Sequence, residues 1–131
     1  MRPGASLKFA VRGAVMQGTL RDENGKIVCD RCTLARDTYS RMVGLLGRTG
    51  LSQGEGILLQ PAGSIHTFFM RFPIDAVFLD RDRRVVRIAE SMKPWRTAAA
   101  RRSRSVLELA AGEAKRIGLQ PGNVLQLEVQ G

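Results

Sequence analysis

The stretch from Ser64 to Asp80 most constrains the fold, because it holds the only histidine and four of the five phenylalanines. Residues 74–79 are apolar except at Asp75, a pattern typical of a strand that is buried on both faces. Pro73 cannot donate to a sheet and therefore marks a strand end, an edge or a bulge. Strand alternation from Ile65 onwards places four side chains on one face: His66, Phe68, Met70 and Phe72. The stretch predicts a β core with one histidine beside it.

Asp75 needs a partner, because an isolated charge inside an apolar run is expensive to bury. One hypothesis is that its carboxylate ties down a strand end or the turn after Pro73 by accepting backbone N–H groups. The other hypothesis is that it orients His66 or Arg71 at a ligand pocket. The sequence leaves both hypotheses open.

The remaining chain predicts more strands than helices. Asn24-Gly25 is a hairpin turn signal, and Asp80–Arg83 is expected to join two strands as a hairpin. Gly47 and Gly118 would end two short helices. The expected helices are Thr38–Leu46 and Ala111–Ile117, and the further strands are Leu7–Val11, Ala14–Arg21, Lys26–Leu34, Ile57–Leu59, Val85–Ile88, Ser105–Leu109 and Val124–Val129. Short connections predict a mainly β (α+β) fold: a single compact antiparallel sheet curled towards a small barrel, with two short helices.

The length of 131 residues predicts one domain. We expect a flexible N-terminal tail over residues 1–6 and a single β-rich domain over residues 7–131. The first residues lack the continuous apolar core of a secretory signal, so the sequence predicts a cytoplasmic protein. It also contains no transmembrane run of the required length.

The net charge of +9 indicates attraction to polyanions. The candidate contacts lie in a segment of small and basic residues and are Lys93, Arg101, Arg102 and Arg104. We therefore predict weak polyanion or single-stranded nucleic-acid binding through Lys93–Arg104, although the excess of arginine could equally reflect composition alone.

A ligand pocket is the leading functional hypothesis. Its candidate residues combine aromatic, polar and charged side chains: His66, Phe68, Met70, Asp75, Trp95 and Arg96. No nucleophile–base pair, phosphate-binding glycine loop or paired carboxylates are legible in the sequence. The chain is therefore predicted to be a non-enzymatic ligand-binding or interaction module without a cofactor, whose partner is an unknown small molecule or protein. A hydrolase-like enzyme stays open as an alternative.

The only cysteines form the motif Cys29-Asp30-Arg31-Cys32. A structural zinc site wants four ligands, and only His66 is available as a third. A redox motif would place the first cysteine at a helix start, whereas this pair belongs to a predicted strand. We expect both thiols to be reduced and free of metal.

Several segments together resemble the bacterial and archaeal family catalogued as domain of unknown function 192. They are Gly44-Leu45-Leu46-Gly47-Arg48, Gly54-Glu55-Gly56-Ile57-Leu58-Leu59, Ile65-His66-Thr67-Phe68-Phe69-Met70, Pro73-Ile74-Asp75-Ala76-Val77-Phe78-Leu79-Asp80 and Val106-Leu107-Glu108-Leu109-Ala110-Ala111-Gly112. Many members carry Trp-Met and Asn-Thr before the Pro-Ile-Asp motif, where this chain has Phe69-Met70 and Arg71-Phe72. The resemblance implies a compact β-rich domain and no particular chemistry.

Overall fold

The computed structural model describes residues 16–37, residue 41 and residues 48–130. The predicted tail over residues 1–6 and the predicted strand Leu7–Val11 lie outside the described residues. Of the predicted helix Thr38–Leu46, only Arg41 is described, and its backbone N–H donates to the carbonyl of Asp37 (3.1 Å).

Strands dominate the described part of the chain, as the alternating and continuous apolar runs predict. The strands are β1 (Met16–Arg21), β2 (Ile27–Ala35), β3 (Glu55–Leu59), β4 (Ser64–His66), β5 (Ile74–Leu79), β6 (Val85–Met92), β7 (Thr97–Ala99), β8 (Ser105–Ala110) and β9 (Gln126–Val129). One short helix, α1 (Glu113–Arg116), is present within the described ranges. It falls inside the predicted helix Ala111–Ile117 but is shorter, and a second helix is not confirmed.

The strands form two sheets rather than the single antiparallel sheet expected from the sequence. The larger sheet has the order β6-β5-β8-β3-β2-β1-β9, and β4 and β7 form a separate two-stranded sheet. Strand β2 runs parallel to β3, whereas the other pairs are antiparallel. Within the described residues, the seven-stranded sheet does not close into the expected barrel. Its outer strands β6 and β9 do not pair as strands, and a single bridge between Arg84 and Val124 connects the residues that precede them.

Hydrophobic residues cover both faces of the large sheet. Every residue of β5 is buried, as its continuous apolar run predicts. Val77 and Leu79 point into one core cluster, while Ile74, Ala76 and Phe78 point into the other. This division by strand alternation decides which polar side chains meet on each side of the sheet.

The predicted turns are confirmed where the sequence signal is strongest. Gly25 has φ of 83° in the β1–β2 hairpin, and its N–H donates to the carbonyl of Asp22 (3.0 Å). The turn at Asp80–Arg83 joins β5 to β6, as expected, and Asp80 accepts the N–H groups of Asp82 and Arg84.

The described part of the chain contains no helix that combines the length and the apolar character needed to cross a membrane.

The predicted extended segment Ile65–Phe69 is interrupted. Strand β4 ends at His66, and Phe69 has a φ of 67°, which an extended strand does not allow. A turn therefore begins where the aromatic residues begin, and this turn builds the site described below.

Candidate functional site

Thr67 joins the turn after β4 to the loop before β7. The side chain is fully buried; its hydroxyl donates to the carbonyl of Lys93 (2.6 Å) and accepts the N–H of Arg96 (2.8 Å). Its own N–H donates to the carbonyl of Arg96, and its carbonyl accepts the N–H of Trp95 (3.0 Å). The two loops are thus fixed against each other by backbone and side-chain hydrogen bonds.

Two aromatic residues on these loops adopt left-handed backbone conformations. Phe69 has φ of 67° and Trp95 has φ of 65°. A bulky residue in this region is a rare, strained conformation that costs on the order of 1–3 kcal/mol. Both side chains are exposed, Phe69 by 66% and Trp95 by 56%. The surrounding hydrogen bonds therefore hold two large apolar side chains at the surface.

Four rings form a continuous series, which we call the aromatic array: His66, Phe68, Trp95 and Phe69. The centroids of His66 and Phe68 are 4.7 Å apart, those of Phe68 and Trp95 are 5.6 Å apart, and those of Phe69 and Trp95 are 4.7 Å apart. The first two pairs are stacked, and the third is tilted by 60°. These spacings are typical of attractive aromatic pairs.

The inner end of the array borders a cleft of about 640 Å³, called here the aromatic cleft. Strands β4 and β7 supply much of its lining, and Leu59 and Ile65 contribute apolar side chains. The lining also contains a ring and two cations: Phe68, Arg41 and Arg87. His66 completes this wall, so the cleft combines flat aromatic surface with positive charge.

A buried ion pair beneath the cleft was missed by sequence reasoning. Glu108 and Arg41 are 0% and 1% exposed, and Arg41 Nε donates to Glu108 Oε2. Arg41 Nη2 also donates to the carbonyl of His66 (2.7 Å) and lies 3.6 Å from the sulfur of Met70. Glu108 Oε1 has no hydrogen-bond partner among the described residues. Burial raises the pKa of Glu108, and the charge of Arg41 opposes that rise.

One signal could have found Glu108. It is a single carboxylate in the buried strand Ser105–Ala110, the same pattern that singled out Asp75. Arg41 carries no such signal, because an arginine in a predicted helix ordinarily lies on the solvent face. The pairing joins residues that are 67 positions apart in the sequence.

The surroundings of His66 favour the neutral form of its ring, because they lower its pKa. Burial lowers the pKa of His66, and the positive charge of Arg41 lowers it further. Its Nδ1 accepts the N–H of Phe68 (3.3 Å), which assigns the remaining ring proton to Nε2. The ring of His66 therefore lines the cleft as a flat surface whose neutral form is favoured, with its remaining proton on Nε2.

Asp75 is not part of this site. Its Oδ1 accepts the N–H of Ser91 (2.8 Å), and its Oδ2 accepts the N–H of Ala114 (2.9 Å). Ala114 belongs to the core cluster on the face opposite that of Ile65 and Met70. The hypothesis of backbone partners is confirmed, although they lie in β6 and α1 rather than after Pro73. The structure places Asp75 away from His66.

The other predicted site residues separate into surface and core. Arg96 is exposed beside Trp95, whereas Met70 is buried in the core cluster below the cleft. The basic candidates Lys93, Arg101, Arg102 and Arg104 are all exposed. Arg101 and Arg102 border a second cleft of about 750 Å³, called here the arginine cleft, together with Arg87. Arg87 lines both clefts.

Both cysteines lie on the core face of β2. Gly18 pairs with Cys32 and Leu20 pairs with Cys29, so β2 has one extra residue between the two pairs. This bulge places two side chains three residues apart on the same face, where a regular strand would separate them. Both thiols are free and buried, and a hydrogen bond to Cys29 together with burial raises the pKa of Cys32. A Cβ on Gly56 would lie 2.8 Å from Cys29 Sγ, so only glycine fits opposite.

Metal ligands are not grouped in the part of the chain that the structure describes. No cluster of three or more His, Cys, Asp or Glu side chains there could hold a metal ion.

The chain is similar to two solved structures. A protein of unknown function from Novosphingobium aromaticivorans has a TM-score of 0.71 and 28% identity, with 86% of this chain and 84% of that chain covered. A protein from Sinorhizobium meliloti described as a "putative transcription regulator" has a TM-score of 0.70 and 25% identity, with 87% of this chain and 94% of that chain covered. No protein of curated function matches the sequence.

A family model matches the sequence over residues 19–127, which include β2 to β8 and every residue of the aromatic array. The matched family is described as "Uncharacterized ACR". The match spans most of the chain and agrees with the motifs quoted above, so the protein belongs to the family known as domain of unknown function 192.

Proposed function

We propose that this protein is a non-enzymatic binding module that holds a small planar molecule against the aromatic array and in the aromatic cleft. The observation that carries the proposal is the exposure of Phe69 and Trp95 in left-handed conformations. Strain of this kind persists where the surrounding structure fixes it, and it clusters at binding sites. Here the fixing residue is Thr67, which is buried and bonded to both loops.

Stacking supplies the affinity in this proposal. Each exposed ring offers a face on which a planar group is worth about 1–3 kcal/mol when the partner is a nucleobase. The array is already assembled by its own ring contacts. A ligand would therefore meet a prearranged surface and would spend little free energy on ordering side chains.

Hydrogen bonding at the site supports binding rather than catalysis. The hydroxyl of Thr67 is committed to the carbonyl of Lys93, and Nδ1 of His66 is committed to the N–H of Phe68. Nucleophilic catalysis needs a base within hydrogen-bond reach of the nucleophile. In this protein, the hydrogen bonds of Thr67 and His66 instead stabilise the turn after β4.

Fluorescence of the single tryptophan provides the test. Trp95 is the only tryptophan and lies in the array, so adenosine, uridine and nicotinamide can be titrated as neutral planar probes. We expect saturable quenching that weakens in Phe68→Leu. Ile27→Ala is the matched control, because Ile27 is an exposed apolar residue (44%) on β2, outside the array. Quenching that is linear for all three probes, or equal in wild type and Phe68→Leu, contradicts the proposal.

A second candidate function rests on the five exposed cations of the segment Lys93–Arg104. A basic surface beside exposed rings is the arrangement used for single-stranded nucleic acid. Replacing Arg101, Arg102 and Arg104 by Ala should flatten the salt dependence of binding to a mixed oligonucleotide, by about one unit of slope for each phosphate that these arginines bind. Replacing Arg21, Arg31 and Lys115 by Ala gives a control with the same net charge. Equal slopes in the two variants would exclude this segment as the nucleic-acid surface.

A further inference from the structure

We propose that the planar ligand carries a phosphate, which the arginine cleft binds through Arg87, Arg101 and Arg102, so that the ligand class is a nucleotide. This inference rests on the proposed function, since the ring of the nucleotide would occupy the aromatic cleft. It adds a second subsite and a charge requirement. The observation that joins the two subsites is that Arg87 lines both clefts.

Arg87 is held in place by protein contacts on two sides. Its guanidinium carbon lies 5.6 Å from the centroid of the Phe78 ring, and its Nη1 donates to the carbonyl of Ala99. A guanidinium has five N–H donors, so most of them are not used by the Ala99 contact. Arg87 is therefore positioned between the clefts with donors to spare.

The turn that carries the other two arginines is also fixed. Arg102 has a φ of 67°, and the N–H of Ser103 closes the turn on the carbonyl of Ala100 (3.2 Å). The hydroxyl of Ser103 is buried and donates to the carbonyl of Ala62 (3.0 Å). A strained arginine at an anchored turn supports a role in binding.

The charge at this place is not balanced locally. Among the residues that the structure describes, no carboxylate forms an ion pair with Arg87, Arg101 or Arg102. Arginine binds phosphate with paired, charge-assisted hydrogen bonds, which makes it the preferred residue for such a group. Three arginines around one cleft fit a phosphate better than they fit a neutral group.

The two clefts are adjacent along one strand. Thr97, Ala98 and Ala99 of β7 line the aromatic cleft, and Ala100 begins the lining of the arginine cleft. Extended chain rises about 3.3 Å per residue, so the path from Thr97 to Ala100 is roughly 10 Å. A ring joined to a phosphate through a ribose is of comparable length.

The test compares each nucleotide with its nucleoside. AMP and adenosine, and UMP and uridine, are titrated against wild type, Arg101→Gln/Arg102→Gln and the control Arg21→Gln/Arg31→Gln, with Trp95 fluorescence as the readout. Charged hydrogen bonds to the phosphate should make the nucleotide bind roughly tenfold or more tightly than the nucleoside. This ratio should fall towards one in Arg101→Gln/Arg102→Gln, with nucleoside affinity retained, and persist in the control. Thermal unfolding of each variant verifies that the exposed substitutions leave the fold intact.

The outcomes separate this inference from the proposed function. Equal binding of nucleoside and nucleotide overturns the phosphate subsite and leaves the planar-ligand proposal standing. Nucleotide binding that survives Phe68→Leu but disappears in Arg101→Gln/Arg102→Gln overturns both, because the phosphate alone would then be recognised. Absence of binding by all four probes overturns the nucleotide inference, and it overturns the proposed function as well if nicotinamide also fails to bind. The remaining comparison uses an oligonucleotide of five deoxyadenylates. If it binds far more tightly than AMP and its affinity falls steeply with salt, the nucleotide that these clefts recognise belongs to a single-stranded nucleic acid.

Discussion

Replacement of Asp75 should destabilise the protein in proportion to the number of backbone donors that lose their acceptor. The carboxylate is fully buried, and each oxygen accepts a different N–H, from Ser91 and from Ala114. Ser91 has a φ of 49° and lies at a bulge of β6, where the register shifts between Ile74 and Ala76. Its N–H is thus taken up by a side chain of the neighbouring strand.

The second bond replaces a missing helix cap. Gly112 precedes α1 and provides no side-chain cap, and Ala114 is the second residue of the helix. A capping side chain ordinarily accepts the N–H of the second or third helical residue. Asp75 does this from β5, which also brings a negative charge to the start of the helix.

The expected magnitude follows from these two bonds. A buried donor left without a partner costs about 1–3 kcal/mol, so Asp75→Ala should lower the free energy of unfolding by about 2–6 kcal/mol. For a domain of this size, about 1 kcal/mol corresponds to roughly 3–6 °C in Tm. The lower limits of these two ranges give a fall of roughly 6 °C, so we expect Asp75→Ala to lower Tm by at least about that amount. Asp75→Asn keeps one acceptor and turns an amide towards the other N–H, so it should cost about half as much.

Asp80→Asn provides a matched control. Asp80 also accepts two backbone N–H groups, but both bonds go to Oδ1, so the amide oxygen of Asn can accept both. Thermal unfolding and amide exchange at Ser91 and Ala114 are the measurements. The reasoning is refuted if Asp75→Asn is as stable as wild type, or if Asp75→Ala unfolds no earlier than Asp80→Asn.

Three further predictions concern the titratable side chains. The single histidine should titrate by NMR with a midpoint below 6.5, because burial and the charge of Arg41 lower the pKa of His66; a midpoint at or above 6.5 would place the ring in open solvent. Cys29 and Cys32 should not react with a thiol reagent in the native protein, and two thiols should react after unfolding, because both are buried and hydrogen bonding and burial raise the pKa of Cys32. Burial raises the pKa of Glu108 above 4.5 in the folded protein, so folding favours the protonated carboxyl. This contribution to the free energy of unfolding is complete below pH 4.5 and is lost as the pH rises through the folded pKa. Urea unfolding from about pH 4 to about pH 8 should thus show wild type losing stability relative to Glu108→Gln, and a constant difference would contradict the sign.

Most of the strands were predictable because the order of apolar and polar residues along a strand indicates which of its faces are buried. The apolar run of β5 and the turn signals at Asn24-Gly25 and Asp80–Arg83 predicted elements that the structure contains. Strand β7 was missed, because Thr97-Ala98-Ala99 has little β propensity and is a strand through its pairing with β4. The parallel pairing of β2 with β3 was also missed, although the predicted helix Thr38–Leu46 between the two strands is the pattern typical of a parallel crossover.

The candidate site was predictable in composition and not in geometry. His66, Phe68 and Trp95 were expected together, and their rings are stacked in the structure. The predicted alternation of side chains required an extended strand through Phe69. The structure has a turn at that residue instead, and the turn exposes the Phe69 ring at the surface. Arg87 was not singled out, because one arginine in an exposed strand resembles any solvated cation. Its position between two clefts depends on the pairing of β5 with β6 and on the path of the chain after β7.

Asp75 and Glu108 are both fully buried in the large sheet, and they show why a pattern identifies a constrained residue without identifying its role. Ala76 pairs with Glu108, and Asp75 pairs with Leu109, so the two acids occupy adjacent strands and point to opposite faces. Asp75 meets backbone donors that hold a bulge and a helix, and it is therefore structural. Glu108 meets Arg41, which also binds the carbonyl of His66 and lines the aromatic cleft. We therefore expect a change at Glu108 to affect the wall of the cleft through Arg41, and a change at Asp75 to affect the stability of the sheet and the helix instead.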